Sequence, residues 1–117
     1  MNHPEKSQLM RPLQSQELFE ALIGRLDVTE PIPPFVVVYF TAKWCGACKR
    51  LDLPAIVSSV PGAVWFKCDM DENEYTAGYC GIRSIPSFLV IKNKAIKGTL
   101  GESRTEHVIK WLKEFVA

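Results

Sequence analysis

Two cysteines stand three apart in the stretch Trp44-Cys45-Gly46-Ala47-Cys48-Lys49. The stretch follows an apolar run, Phe35 to Phe40, that reads as a buried strand. It opens a run from Cys48 to Val60 that reads as a helix. Residues three apart at a helix start share one face within a turn, so these sulfurs can close a disulfide or hold a metal. The chemistry favours the disulfide. Unpaired N–H groups and the dipole at a helix N-terminus favour negative charge, and the thiolate is the nucleophilic form of cysteine. Cys45 is therefore the expected nucleophile. Cys48, one turn deeper and expected to be more buried, is placed to attack a mixed disulfide formed on Cys45. A zinc or iron–sulfur site needs further ligands. Cys68 and Cys80 would have to supply them, yet Cys68 reads as mid-strand and there is no second CxxC.

The elements that must position this pair follow from pattern. Residues 1–7 read as a polar tail and 8–117 as one domain. Gln8 to Leu13 reads as a short edge strand, since Pro12 is tolerable only at an edge. Ser15 is a good N-cap for a helix to about Leu26, with Leu18, Leu22, Ile23 and Leu26 on one stripe. Pro31, Pro33 and Pro34 keep the next loop extended. Phe35 to Phe40 is apolar on both faces, as a central strand covered on both sides should be. The helix after the cysteines carries Leu53, Ile56, Val57 and Val60, with Pro54 expected to kink it and Pro61-Gly62 to stop it. Ala63 to Cys68 is the next strand, which makes a parallel βαβ unit.

An acidic turn, Asp69 to Glu74, leads into a short helix from about Asn73 to Cys80 with Gly81 as its C-cap. Ser87 to Lys92 and Ala95 to Leu100 form a hairpin around Asn93-Lys94, and Gly101 breaks its second strand. Ser103-Arg104-Thr105-Glu106 reads as a capping box for a last helix with Val108, Ile109, Leu112, Phe115 and Val116 on its core face. The order is β-α-β-α-β-α-β-β-α, which pattern alone resolves only to a three-layer α/β/α domain.

Composition narrows the function. The chain has 117 residues, 47% of them hydrophobic and 23% charged, which suits one globular domain. A net charge of +1 with no basic block argues against nucleic acid as a partner. The longest apolar run is too short to span a membrane, and the N-terminal residues have no apolar stretch of the secretory kind. Four cysteines in that context point to a reducing compartment, with the cytoplasm as the expected location.

The segment Phe40-Thr41-Ala42-Lys43-Trp44-Cys45-Gly46-Ala47-Cys48-Lys49 resembles the active-site segment of the thioredoxin family, and Gly81-Ile82-Arg83-Ser84-Ile85-Pro86-Ser87-Phe88 resembles its cis-proline segment. The two lie about forty residues apart in the family's order, and the resemblance runs from about Gln8 onward. It implies the thioredoxin fold, with a central mixed sheet that is parallel in the middle and ends in an antiparallel hairpin. It implies a protein-disulfide reductase working through Cys45 and Cys48, serving cell redox homeostasis as a monomer. No bound cofactor is expected beyond the redox-active disulfide. Its clients are disulfide-containing proteins, and it is recharged by an NADPH-dependent thioredoxin reductase or a low-molecular-weight dithiol. The resemblance also makes Trp44 a shield and docking surface and Pro86 a cis-proline beside the sulfurs, which obstructs metal binding there. The backbone of Ile85 is left to pair with an extended client, and Gly101 borders the same groove. Lys67 matches a lysine that the family keeps near the pair.

The sequence departs from the family at three places. Tyr39 stands where the family has a buried aspartate, the group expected to take the proton of the second cysteine. Tyrosine, with a free pKa near 10, is a poor base at neutral pH, so water is the expected acceptor. Ala47 replaces the usual proline between the cysteines, and Pro54 falls one residue late in a segment about three residues short. These departures keep a second reading open, a thioredoxin-fold binding module with little turnover. A metal-binding protein is a third. Cys68 is expected to fill core, and Cys80 is a candidate oxidisable thiol. His3 and His107 have no sequence-local partner.

Overall fold

The computed structural model describes residues 9–116. The expected tail, Gln8 at the start of the first strand, His3 and the final Ala117 lie outside the described residues. The elements are β1 (Arg11–Pro12), α1 (Gln16–Leu22), β2 (Phe35–Thr41), a 3-10 turn (Ala47–Arg50), α2 (Leu53–Ser58), β3 (Val64–Asp69), α3 (Glu74–Tyr79), β4 (Ser87–Lys92), β5 (Ala95–Gly101) and α4 (Thr105–Lys113). The sheet order is β1-β3-β2-β4-β5. Strands β1, β3 and β2 run parallel, and β4 and β5 are antiparallel additions beside β2. This is the mixed sheet expected from the sequence, with the apolar run at its centre.

Strand alternation divides the core in two. Val37 and Tyr39 face one side with Cys45, Cys48, Ile56, Phe88, Val108 and Leu112. Val36, Val38 and Phe40 face the other with Phe19, Leu22, Phe66, Cys68 and Ala77. Helices α2 and α4 therefore cover one face and α1 and α3 the other. The cysteine pair belongs to the first. Asn73 ties the second layer to the sheet edge: its side chain accepts from the Thr76 N–H and donates to the Leu13 carbonyl at 3.1 Å.

The hairpin turn at Asn93-Lys94 forms as read, with φ of 51° and 70° at its two residues. Those left-handed values match the twist of the flanking strands. Other boundaries differ from the sequence reading. Helix α1 ends at Leu22 and not near Leu26, because Gly24 takes φ 77° and turns the chain away; Leu26 is left exposed. Phe19, fully buried, anchors α1 in place of the expected Leu26.

The expected single helix from Cys48 to Val60 is two pieces. Leu51 is extended (φ −75°, ψ 138°), which ends the 3-10 turn. Asp52 then caps a new helix, its side chain accepting from the Ala55 N–H at 3.2 Å. Pro54 falls in the first turn of that helix, where a missing N–H leaves no bond unmade, and so starts a helix instead of kinking one.

The capping box at Ser103 does not form either. Arg104 is the N-cap of α4 and makes no side-chain cap bond. Glu102, one residue earlier, takes the N–H groups of Ser103 and Arg104 instead. Helix α4 stops at Lys113, so Val116 is exposed and only Val108 and Leu112 of its expected core face are fully buried. Gly101 is the last residue of β5, paired with Ser87, and does not interrupt the strand.

Candidate active site

The chain leaves β2 at Thr41 and turns tightly, with the Cys45 N–H bonded to the Ala42 carbonyl at 3.1 Å. Cys45 and Cys48 are joined as a disulfide, with Cα atoms 5.3 Å apart. Both residues are buried, 5% and 6% exposed. Cys48 is thus no deeper than Cys45, contrary to the sequence expectation, because a single 3-10 turn does not carry the second residue down a long helix. What distinguishes them is hydrogen bonding. The Cys48 N–H donates to the Cys45 sulfur at 3.1 Å. An N–H aimed at sulfur favours negative charge there, and Cys45 is the sulfur of the pair that has this donor. Because the helix breaks at Leu51, this effect comes from the local turn and not from the dipole of a continuous helix.

Trp44 is 68% exposed, an unusual state for a large aromatic. Its indole N–H donates to Asp71 Oδ2 at 2.9 Å. Asp71 is a site residue that sequence reading missed. The signal lay in the acidic turn after β3. Parallel pairing of Thr41 with Asp69 delivers that turn to the end of β2, and the Asp69 side chain accepts the Asp71 N–H at 2.8 Å.

Two depressions flank the disulfide and share no residue. One, of about 260 Å³, is a groove lined by Ala47, Ser84, Ile85, Pro86, Gly101, Glu102 and Ser103. The Ile85–Pro86 peptide is cis. A Cβ at Gly101 would lie 3.3 Å from Ser84 Oγ and 3.4 Å from Ser87 Oγ, so a side chain there would crowd the groove. Gly46 has open space around it.

The other depression, of about 350 Å³, is lined by both cysteines with Tyr39, Lys49, Lys67, Asp69 and Glu72 among others. Tyr39 is 2% exposed and stacks on Phe88 with ring centroids 5.2 Å apart. Burial pushes its phenol up, and the Thr41 hydroxyl only partly opposes this. Lys67, beside Tyr39 in register, is exposed at the cavity rim.

The remaining cysteines are separate from the pair. Burial pushes the Cys68 thiol up to about 12 and that of Cys80 to about 11. Among the described residues no cluster of three or more His, Cys, Asp or Glu is arranged to hold a metal, and no helix is long and apolar enough to cross a membrane.

The arrangement is a Cys45–Cys48 disulfide between two depressions, and known proteins resemble the chain that carries it. The family model described as Thioredoxin matches residues 16–114. A thioredoxin of Rickettsia conorii is 35% identical over 85 residues, which is 69% of this chain and 81% of that protein. Thioredoxin 2 of Chlorobaculum tepidum is 36% identical over 86 residues, 68% of this chain and 77% of that protein. The oxidised mitochondrial thioredoxin 3 of Saccharomyces cerevisiae superposes with a TM-score of 0.80 at 24% identity, over 95% of this chain and all of that one (100%). The family match runs from the start of α1 past the end of α4 and includes the cysteine turn, and the chain belongs to the thioredoxin family of thiol–disulfide oxidoreductases.

Proposed function

We propose that the protein reduces protein disulfides, with Cys45 as the attacking thiolate and Cys48 as the resolving thiol. The observation that carries this assignment is the Cys48 N–H aimed at the Cys45 sulfur. In the reduced protein, the Cys45 thiolate attacks one sulfur of a client disulfide. A Cys45–client bond forms, and the other client sulfur leaves as a thiolate and is protonated. Cys48 then loses its proton and attacks Cys45 Sγ. The Cys45–Cys48 disulfide closes, and the second client sulfur leaves as a thiolate and is protonated. Two electrons have passed from the pair to the client, whose two protons come from solvent. With the Tyr39 phenol pushed up by burial, water in the neighbouring cavity takes the Cys48 proton.

A client segment lies extended along the groove at Ile85 and Pro86, pairing with the Ile85 backbone. Trp44, exposed beside the pair, offers it an aromatic surface, and Gly101 and Ala47 give it room. Lys67 adds positive potential at the rim of the cavity behind the pair. The oxidised pair is recharged by an NADPH-dependent thioredoxin reductase or by a low-molecular-weight dithiol. The protein works as a monomer in the cytoplasm.

Insulin reduction driven by dithiothreitol, followed by turbidity, tests the reading. The wild type is expected to exceed dithiothreitol alone, and Cys45→Ser to abolish the excess. Cys48→Ser is expected to accumulate a client adduct visible on a non-reducing gel. A folded wild type with no activity above dithiothreitol would sink the reductase reading and favour the binding module.

A further inference from the structure

The groove has one wall that its sulfur chemistry does not explain, the connection from β5 to α4. Its Glu102 is half-buried, and its carboxylate is held from within the same loop. Oε2 accepts from the Ser103 N–H, the Arg104 N–H and Arg104 Nε, each at 3.0 Å. Oε1 accepts from Arg104 Nη2 at 3.3 Å and has His107 Nδ1 at 3.5 Å. The Arg104 guanidinium is the main reason the carboxyl is held down to about 2, so the group stays ionised near neutral pH.

Three of these bonds crowd onto Oε2 and one, from Arg104 Nη2, reaches Oε1, so the carboxylate is directed chiefly at its own loop. Glu102 therefore points most of its accepting capacity into the loop and not toward a client. It shapes backbone instead. The connection it orders is tied at both ends to the active site. The Glu102 N–H donates to the Pro86 carbonyl at 3.2 Å, which continues the ladder beyond Ser87 and Gly101. Three residues on, Thr105 Oγ1 accepts the Asp52 N–H at 3.0 Å, where the chain leaves the cysteine turn. The loop thus bridges the cis-proline strand and the cysteine turn, the two sides between which a client must fit.

We propose that Glu102 is a positioning residue for client binding, fixing the backbone from Glu102 to Thr105 as the outer wall of the groove so that its width suits an extended protein segment. This rests on the reading of that groove as the client site. A bound segment needs the wall already in place; a mobile wall has to be ordered at the cost of affinity. A small disulfide that touches only the sulfur needs no wall.

Initial rates with insulin across a concentration series, dithiothreitol as reductant, are compared for the wild type, Glu102→Gln and Glu102→Ala. Each reduced protein is also reacted with the aromatic disulfide 5,5′-dithiobis(2-nitrobenzoate), and folding is checked by thermal unfolding. The KM for insulin is expected to rise about three- to tenfold in Glu102→Ala, with kcat within about twofold and the rate on the small disulfide unchanged. Glu102→Gln keeps an amide oxygen for the backbone donors and is expected to fall between. An unchanged KM in both folded variants overturns the proposal. An equal loss on both substrates also overturns it, since that would mark a purely structural role. A wild type that fails to reduce insulin at all removes the client groove, and the proposal with it.

Discussion

Tyr39 sets the chemical question at the scale of single residues. It lies on the central strand, lines the cavity that touches both cysteines, and stacks on Phe88. An acid–base role would need a phenol that ionises near neutral pH, whereas burial drives this one the other way. Phenylalanine keeps the ring and the stacking and removes only the hydroxyl. Tyr39→Phe is therefore expected to reduce insulin within about twofold of the wild-type rate between about pH 6 and pH 8. General bases contribute about a hundredfold or more, so a loss of that order in the folded variant would make the phenol the proton acceptor after all. Burial alone does not separate the cysteines, since Cys45 and Cys48 are buried as well. One sulfur receives an N–H bond and belongs to a turn beside a groove; Cys68 and Cys80 have thiols raised by burial.

The decisive element is the interrupted helix after Cys48. Its break lets the cysteine turn and α2 be held separately, the first by its own backbone bonds and the second by Asp52. Asp52 works in two directions, since its side chain caps α2 and its N–H reaches Thr105 at the start of α4. Asp52→Ala removes the cap but leaves that N–H, so it is expected to cost about 0.5–2 kcal/mol in urea unfolding. The reactivity of the pair toward a small disulfide should hardly change, because the Cys48 N–H that faces Cys45 belongs to the preceding turn. A variant as stable as the wild type would show that Pro54 and packing alone hold α2 in place.

At the scale of the whole molecule, the sheet carries the site between two differently built layers. The layer of α2 and α4 includes the cysteines themselves, so packing and chemistry share one core there. Leu112 is fully buried in that layer, whereas Val116, beyond the end of α4, is 52% exposed. Leu112→Ala is expected to lose about 2–5 kcal/mol in chemical denaturation, and Val116→Ala no more than about 0.5. Similar costs for the two would mean that the C-terminal turn packs more closely than its exposure shows.

This contrast also marks how far sequence reading reached. Phe35 to Phe40, the two cysteines and the Asn93-Lys94 turn announce themselves within a few residues, because apolar runs, thiol spacing and left-handed turns are local constraints, whereas Ile85-Pro86 was legible only through the family resemblance. Pattern was enough for a three-layer α/β/α domain and the order of elements; the resemblance to the thioredoxin family supplied the mixed sheet and the redox reading of the pair. The rest depends on residues far apart in the chain. Asp71 reaches Trp44 only because β3 lies beside β2, and Glu102 meets the cis-proline strand only because β5 pairs with β4. The capping box at Ser103 and the single helix through Pro54 satisfied local rules, yet neither formed. Glu102 supplied an acceptor for the N–H groups of Ser103 and Arg104 just before α4, and Asp52 supplied a new helix start. Both acceptors lie within three residues of their donors. What tertiary structure decided is the loop conformation, tied by the Glu102 N–H to the Pro86 carbonyl and by the Asp52 N–H to Thr105 Oγ1, and periodicity along the chain carries no record of those ties.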